Sequence, residues 1–128
     1  MKNGLILDTG TTISVVGNTS LVGKRNKNSQ DAVTITTNGG EFDAKEKAHL
    51  KSLTKLEPVW YNSQVGANVL SFAEIEDHPM YKLNYIKELK CFQITDLQTN
   101  EQYNFVRKSG GRLYIYILRK PRRQIYKQ

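Results

Sequence analysis

Leu5-Ile6-Leu7-Asp8-Thr9-Gly10-Thr11-Thr12 places a carboxylate at the end of a short apolar run, directly ahead of a turn built from small and hydroxyl-bearing residues. An aliphatic run bounded by turn residues reads as a buried strand. In the plainest reading Asp8 merely ends that strand at the surface. The composition of the turn supports a second reading. Thr9 carries a hydroxyl that both donates and accepts. Gly10 lets the backbone approach a substrate or an opposing loop and take dihedrals closed to other residues. Thr11 stands where its hydroxyl could bond the outer oxygen of Asp8.

A water molecule attacks a peptide carbonyl when one group takes its proton and another protonates or polarises the carbonyl oxygen. Two carboxylates sharing one proton do both, because like charges so close cannot both ionise. No second Asp-Thr-Gly or Asp-Ser-Gly occurs in the 128 residues. A partner carboxylate therefore has to come from another copy, and a two-fold axis would bring Asp8 against its mate. In these residues the chain resembles the retropepsins, the homodimeric aspartic proteases of retroviruses and LTR retrotransposons. That resemblance implies Asp8 as the catalytic residue and Thr9, Gly10 and Thr11 as the active-site loop, with Thr9 gripping across the dimer. It implies no metal and no cofactor.

The segment Ala67-Asn68-Val69-Leu70-Ser71-Phe72-Ala73-Glu74-Ile75 is similar to the motif after the flap in copia-type retrotransposon proteases. Asn68, Val69, Leu70 and Ser71 then form the support loop that threads behind the catalytic turn. Ser71 stands where most retropepsins have Gly. Read locally, Ser71 is an N-cap and Glu74 completes a capping box, opening one short helix.

Between the two motifs, Asp31 to Thr37 is rich in β-branched residues and runs into Asn38-Gly39-Gly40, a hairpin signal. Glu41 to Leu50 is the expected return strand. The resemblance makes this hairpin the flap, with Asn38, Gly39 and Gly40 at its tip, closing over an extended peptide. A plain surface hairpin has the same signature. Pro58 to Asn62 reads as a further strand, with Trp60 in the core. Phe92 to Leu97, Gln102 to Val106 and Arg112 to Leu118 read as strands separated by turns at 98–101 and 108–111. Gly111-Arg112-Leu113-Tyr114 is similar to a Gly-Leu-Tyr pattern downstream of the copia-type protease core, with Arg112 interrupting it. Retropepsins carry a strand or hairpin ahead of the one that delivers Asp-Thr-Gly. Only seven residues precede Asp8 here, so the partner of that strand is expected from the C-terminal region.

Length and composition suit one domain that gains from dimerisation. No apolar run approaches the length of a membrane span, and no secretory signal pattern opens the chain. A single cysteine, Cys91, excludes an internal disulfide and fits a reducing compartment. The spacing of His49, His78 and Cys91 matches no metal site. The net charge is +7, with the excess concentrated in Arg119, Lys120, Arg122, Arg123 and Lys127. Such a tail attracts phosphate backbones without sequence preference, although a solvated tail or linker has the same composition.

The expectation is thus a mostly β, closed-barrel-like acid protease half with one short helix, working as a homodimer. Residues 1–118 form the protease domain and residues 119–128 a basic C-terminal tail. The implied activity is aspartic endopeptidase cleavage of the element's own Gag-Pol polyprotein, in the cytoplasm or a virus-like particle, with no membrane partner. The alternative is a retropepsin-like domain that dimerises or binds nucleic acid without cleaving peptides.

Overall fold

The computed structural model describes residues 3–27, 32–37, 40–108 and 110–117. Among these the chain forms β1 (Gly4–Asp8), β2 (Val15–Val16), β3 (Val22–Asn26), β4 (Val33–Thr37), β5 (Gly40–Ala44), β6 (Glu46–Leu50), β7 (Val59–Tyr61), β8 (Asn68–Ser71), α1 (Phe72–Glu76), β9 (Tyr81–Ile86), β10 (Cys91–Asp96), β11 (Gln102–Arg107) and β12 (Tyr114–Ile117). Short 3-10 turns cover Thr19–Leu21 and Lys87–Leu89. The chain is mostly β with one short helix, as its alternating apolar runs require.

Ten strands join one mixed sheet in the order β3-β6-β7-β2-β8-β1-β12-β11-β10-β9. At its centre β8 threads between β1 and β2, parallel to the first and antiparallel to the second. Leu5 faces Asn68, Leu7 faces Leu70 and Asp8 faces Ser71 across the β1–β8 ladder. The other side of β1 is taken by β12, antiparallel, with Leu5 opposite Tyr116 and Leu7 opposite Tyr114. The C-terminal region therefore supplies the strand partner that the sequence requires of it.

Two cores flank the sheet because successive strand residues point to opposite faces. Val16, Tyr61 and Leu70 join Leu5, Leu7, Leu21, Val22, Ile75, Ile94 and Phe105 in the larger core. Their neighbours Val15, Trp60 and Val69 face the other way, where Ile35 and Ala44 of the β4–β5 hairpin cover them. Trp60 is thus a core residue, as its sequence context implies. The hairpin is a separate two-stranded sheet, with Thr37 opposite Gly40. Asn62 ties it to the end of β7 by donating to the Asp43 carbonyl at 2.7 Å.

The expected closed barrel does not form. The larger core draws Val22 from β3 and Ile94 from β10, so the sheet wraps around one interior. Among the described residues, however, β3 pairs only with β6 and β9 only with β10. The physical reason lies in the C-terminal connections. Short turns set each strand of the β9–β12 meander beside its predecessor, so the sheet grows outward from β1 instead of returning to β3. The expected return strand from Glu41 to Leu50 is likewise two elements. It breaks at Lys45: β5 completes the hairpin, and β6 enters the main sheet between β3 and β7.

Candidate active site

Asp8 sits at the C-terminal end of β1, half-buried, followed by exposed Thr9 and Gly10. Its Oδ1 accepts a hydrogen bond from the Gly10 N–H at 2.7 Å. A side-chain carbon at Gly10 would stand 3.3 Å from that oxygen. Gly10 is not in the left-handed region, which among the glycines described is occupied by Gly40 and Gly110. The role expected of its dihedrals is therefore corrected: room beside the carboxylate is what the position requires. Thr11 departs from expectation too. Its hydroxyl donates to the Ile13 carbonyl at 3.0 Å, so it closes the local turn and leaves the carboxylate to Gly10.

What holds this loop is a buried network that sequence reading only half anticipates. Ser71 is fully buried; its hydroxyl donates to the Thr11 carbonyl at 2.9 Å and accepts from the Glu74 N–H at 3.3 Å. The N-cap is therefore present. The capping box is not completed, because the Ser71 N–H donates to the Ser14 hydroxyl at 2.9 Å. Glu74 turns instead to Ser14, accepting from its N–H at 2.9 Å and its hydroxyl at 3.1 Å. Thr11 and Ser14 are thereby pinned to the start of α1 from both ends of the turn. Ser14 is the residue that sequence reading missed. A serine between Ile13 and Val15-Val16, where the pattern is otherwise apolar, was the available signal.

Asn68 performs the same service one strand-length away. It is buried, its Oδ1 accepts from the Gly17 and Asn18 N–H groups at 2.9 and 3.1 Å, and its Nδ2 donates to the Gly4 carbonyl at 3.2 Å. One side chain thus ties β8 to the start of β1 and to the exit of β2. Gly17 itself is required by a different neighbour: a side-chain carbon there would lie 2.4 Å from the Val65 carbonyl oxygen. Val69 and Leu70 face the smaller and larger cores respectively.

A cavity of about 390 Å³ opens beside the carboxylate, lined by Leu7, Asp8, Thr9, Phe72, Tyr85, Phe92, Arg112, Leu113 and Tyr114. Its aromatic walls brace one another. Phe92 meets Phe72 at 5.5 Å, and Tyr85 and Tyr114 at 4.8 Å each, between ring centroids. The hydrogen bond shared with Tyr114 pushes the Tyr85 phenol up. Phe72, Tyr85 and Phe92 were not among the expected site residues. Their convergence depends on β12 lying next to β1, which brings the meander to the Asp8 loop.

Of the flap-tip residues, Asn38 and Gly39 lie outside the described residues, and Gly40 has a φ of 123°. The body of the hairpin packs in the smaller core with Ile13, from the segment just after the Asp8 turn. Among the described residues no group of three His, Cys, Asp or Glu side chains is placed to hold a metal ion. No helix among them is long and apolar enough to cross a membrane. The basic tail at 119–128 lies outside the described residues. Comparison with protein-family models, curated proteins and solved structures finds no match to this chain.

Proposed function

We propose that the chain is one half of a homodimeric, retropepsin-like aspartic endopeptidase, in which Asp8 of each copy supplies one of two catalytic carboxylates. The observation that carries this reading is Asp8 on an exposed Asp-Thr-Gly turn whose flanks are pinned by Ser14, Ser71 and Glu74. A catalytic carboxylate needs such fixed placement, whereas a residue that only ends a strand does not. In the dimer the two carboxylates share one proton. One takes a proton from water as it attacks the peptide carbonyl, while the other protonates the carbonyl oxygen. Thr9, exposed and next to Asp8, contacts the mate across the two-fold axis.

The substrate is an extended peptide covered by the β4–β5 hairpin, and the aromatic cavity beside Asp8 takes an apolar side chain next to the scissile bond. A retrotransposon Gag-Pol polyprotein, of copia type, is the substrate this reading favours, with cleavage in the cytoplasm or a virus-like particle. The open sheet favours a second reading, in which the domain pairs or binds nucleic acid without cleaving.

A mixed library of extended peptides separates the two. Wild type cleaves with a rate that rises as the square of concentration while the dimer is weak, a pepstatin-like inhibitor blocks it, and Asp8→Asn abolishes it with the fold retained. Absence of cleavage by a wild-type dimer of verified mass supports the second reading. Cleavage undiminished in Asp8→Asn removes Asp8 from the chemistry.

A further inference from the structure

On the face of the molecule built by β3 and β6, a second groove collects positive charge. It has a volume of about 590 Å³ and is lined by Lys24, Arg25, Asn26, Lys27, Lys47, His49 and Pro58. Strict alternation would send Lys24 and Arg25 to opposite faces of β3. The β3–β6 register shifts between Val22 and Arg25, and an irregularity of this kind re-aims side chains. Here it leaves Arg25 opposite Ala48, with its guanidinium turned to Glu46 and Tyr61 on that face, so Arg25 only borders the groove, whereas Lys47 lies on the opposite face of β6 over Trp60. On β6, Lys47 and His49 are two residues apart and so share a face, about 7 Å from one another along the strand.

Two of the cations are pre-positioned by aromatic rings. The Lys47 ammonium lies 4.6 Å from the centre of the Trp60 ring, and the Arg25 guanidinium 5.0 Å from that of Tyr61. Arg25 also faces Glu46 at 3.8 Å. Lys24, Lys27 and Lys47 make no ion pair among the described residues. A protein that needed this charge only for solubility would gain nothing from gathering it in one concavity.

We propose that this groove binds the phosphodiester backbone of nucleic acid, independently of base sequence. The choice between phosphate and carboxylate partners rests on which cations are free. Arginine forks match carboxylate and phosphate alike, but the one arginine here is turned to Glu46, so the groove offers a row of lysine charges, which suits a partner whose negative charge repeats along a chain. The lysines left over are point charges that bind phosphate oxygens without geometric demand. Binding of this kind releases counterions and draws its energy from the number of phosphates neutralised. The site stands on β3 and β6 and involves neither Asp8 nor the tail at 119–128.

The test is the salt dependence of binding of a labelled oligouridylate to the full chain, read by fluorescence anisotropy. Replacing Lys24, Lys27 and Lys47 together by Gln is expected to make the slope of log K against log salt shallower by about 2, since each single-strand phosphate contact contributes about 0.7. Because Lys47 rests on Trp60, the Lys24→Gln/Lys27→Gln pair, on exposed side chains, is measured as well and is expected to lower the slope by about 1.4. Asp8→Asn binds as wild type does. The proposal is overturned if the pair leaves slope and affinity unchanged. It is equally overturned if Gln at Arg119, Lys120, Arg122 and Arg123 removes all binding, or if labelled polyglutamate binds as tightly with the same lysine dependence.

Discussion

Replacing Ser71 by Ala removes one hydroxyl and leaves the backbone path free to persist. That hydroxyl is fully buried, donates to the Thr11 carbonyl at 2.9 Å and caps α1 by accepting from the Glu74 N–H at 3.3 Å. Loss of an N-cap costs about 1 kcal/mol, and a buried carbonyl left without its donor costs about 1–3 kcal/mol more. Some of the second cost is recovered if water reaches Thr11 O, which is only part-buried. The expected total is about 2–3 kcal/mol. With a urea m-value of about 1–2 kcal/mol/M for a domain of this size, the unfolding midpoint falls by roughly 1–3 M. The assay is equilibrium urea unfolding followed by tryptophan fluorescence, since Trp60 is the chain's one tryptophan. Thr34→Ala serves as the control: its hydroxyl meets Asp43 at 3.0 Å on the exposed side of the β4–β5 hairpin, and its loss should move the midpoint little. A Ser71→Ala midpoint within 0.3 M of wild type, taken as about the noise of such a titration, would refute the claim that this hydroxyl pins the Asp8 turn.

Three further outcomes follow from the same geometry. Asn68→Leu strips hydrogen bonds from Gly4, Gly17 and Asn18 in a buried site and should cost about 2–4 kcal/mol, read as a fall of roughly 8–16 °C in Tm. Asp96 is buried and bonded to the Lys55 ammonium, which holds its carboxyl below the ordinary carboxylate range. A depressed folded pKa stabilises above the unfolded value of about 4 and is lost as pH falls through the folded one. Asp96→Asn should therefore unfold more readily than wild type at pH 7, with the gap closing below about pH 4 in parallel thermal melts. Phe92→Ala widens the cavity beside Asp8, so the peptides cleaved from a mixed library should shift toward larger apolar side chains at one fixed position, and an unchanged profile would take that cavity out of the substrate's path.

Much of the framework was readable from alternation and turn residues. β1, β7, β8, β10, β11 and β12 fall where apolar runs meet turns, and β12 beside β1 answers the need for a strand partner. β3 was not readable, because Gly23, Lys24, Arg25 and Asn26 after buried Val22 are all exposed and carry no period-two pattern. β9 does alternate, Tyr81-Lys82-Leu83-Asn84-Tyr85, so its strand was legible in the sequence; what the alternation does not show is that burial fades from Tyr81 to exposed Tyr85. At the site, Asp8, Asn68 and Ser71 were legible because each motif carries its own chemistry. Ser14, and the turning of Glu74 toward it, were not. Both depend on residues about sixty positions apart in sequence meeting in space, and local spacing offered the capping box as an equally good use of Glu74. Closure of the sheet failed as an expectation for a related reason: pairing between first and last strands is a global property that no local pattern encodes.

If one Asp8 from each of two copies makes the active site, mixing active and inactive subunits must lower cleavage in a fixed proportion. Wild type is held at a fixed concentration at which its mass in solution is that of a dimer, and Asp8→Asn is added in excess before peptide cleavage is measured. If active dimers require two Asp8 residues and subunits exchange freely, a ninefold excess should lower activity to about one tenth, as random pairing into closed two-fold dimers dictates. Activity that stays constant at every ratio, with mixed dimers verified by mass, would contradict the account.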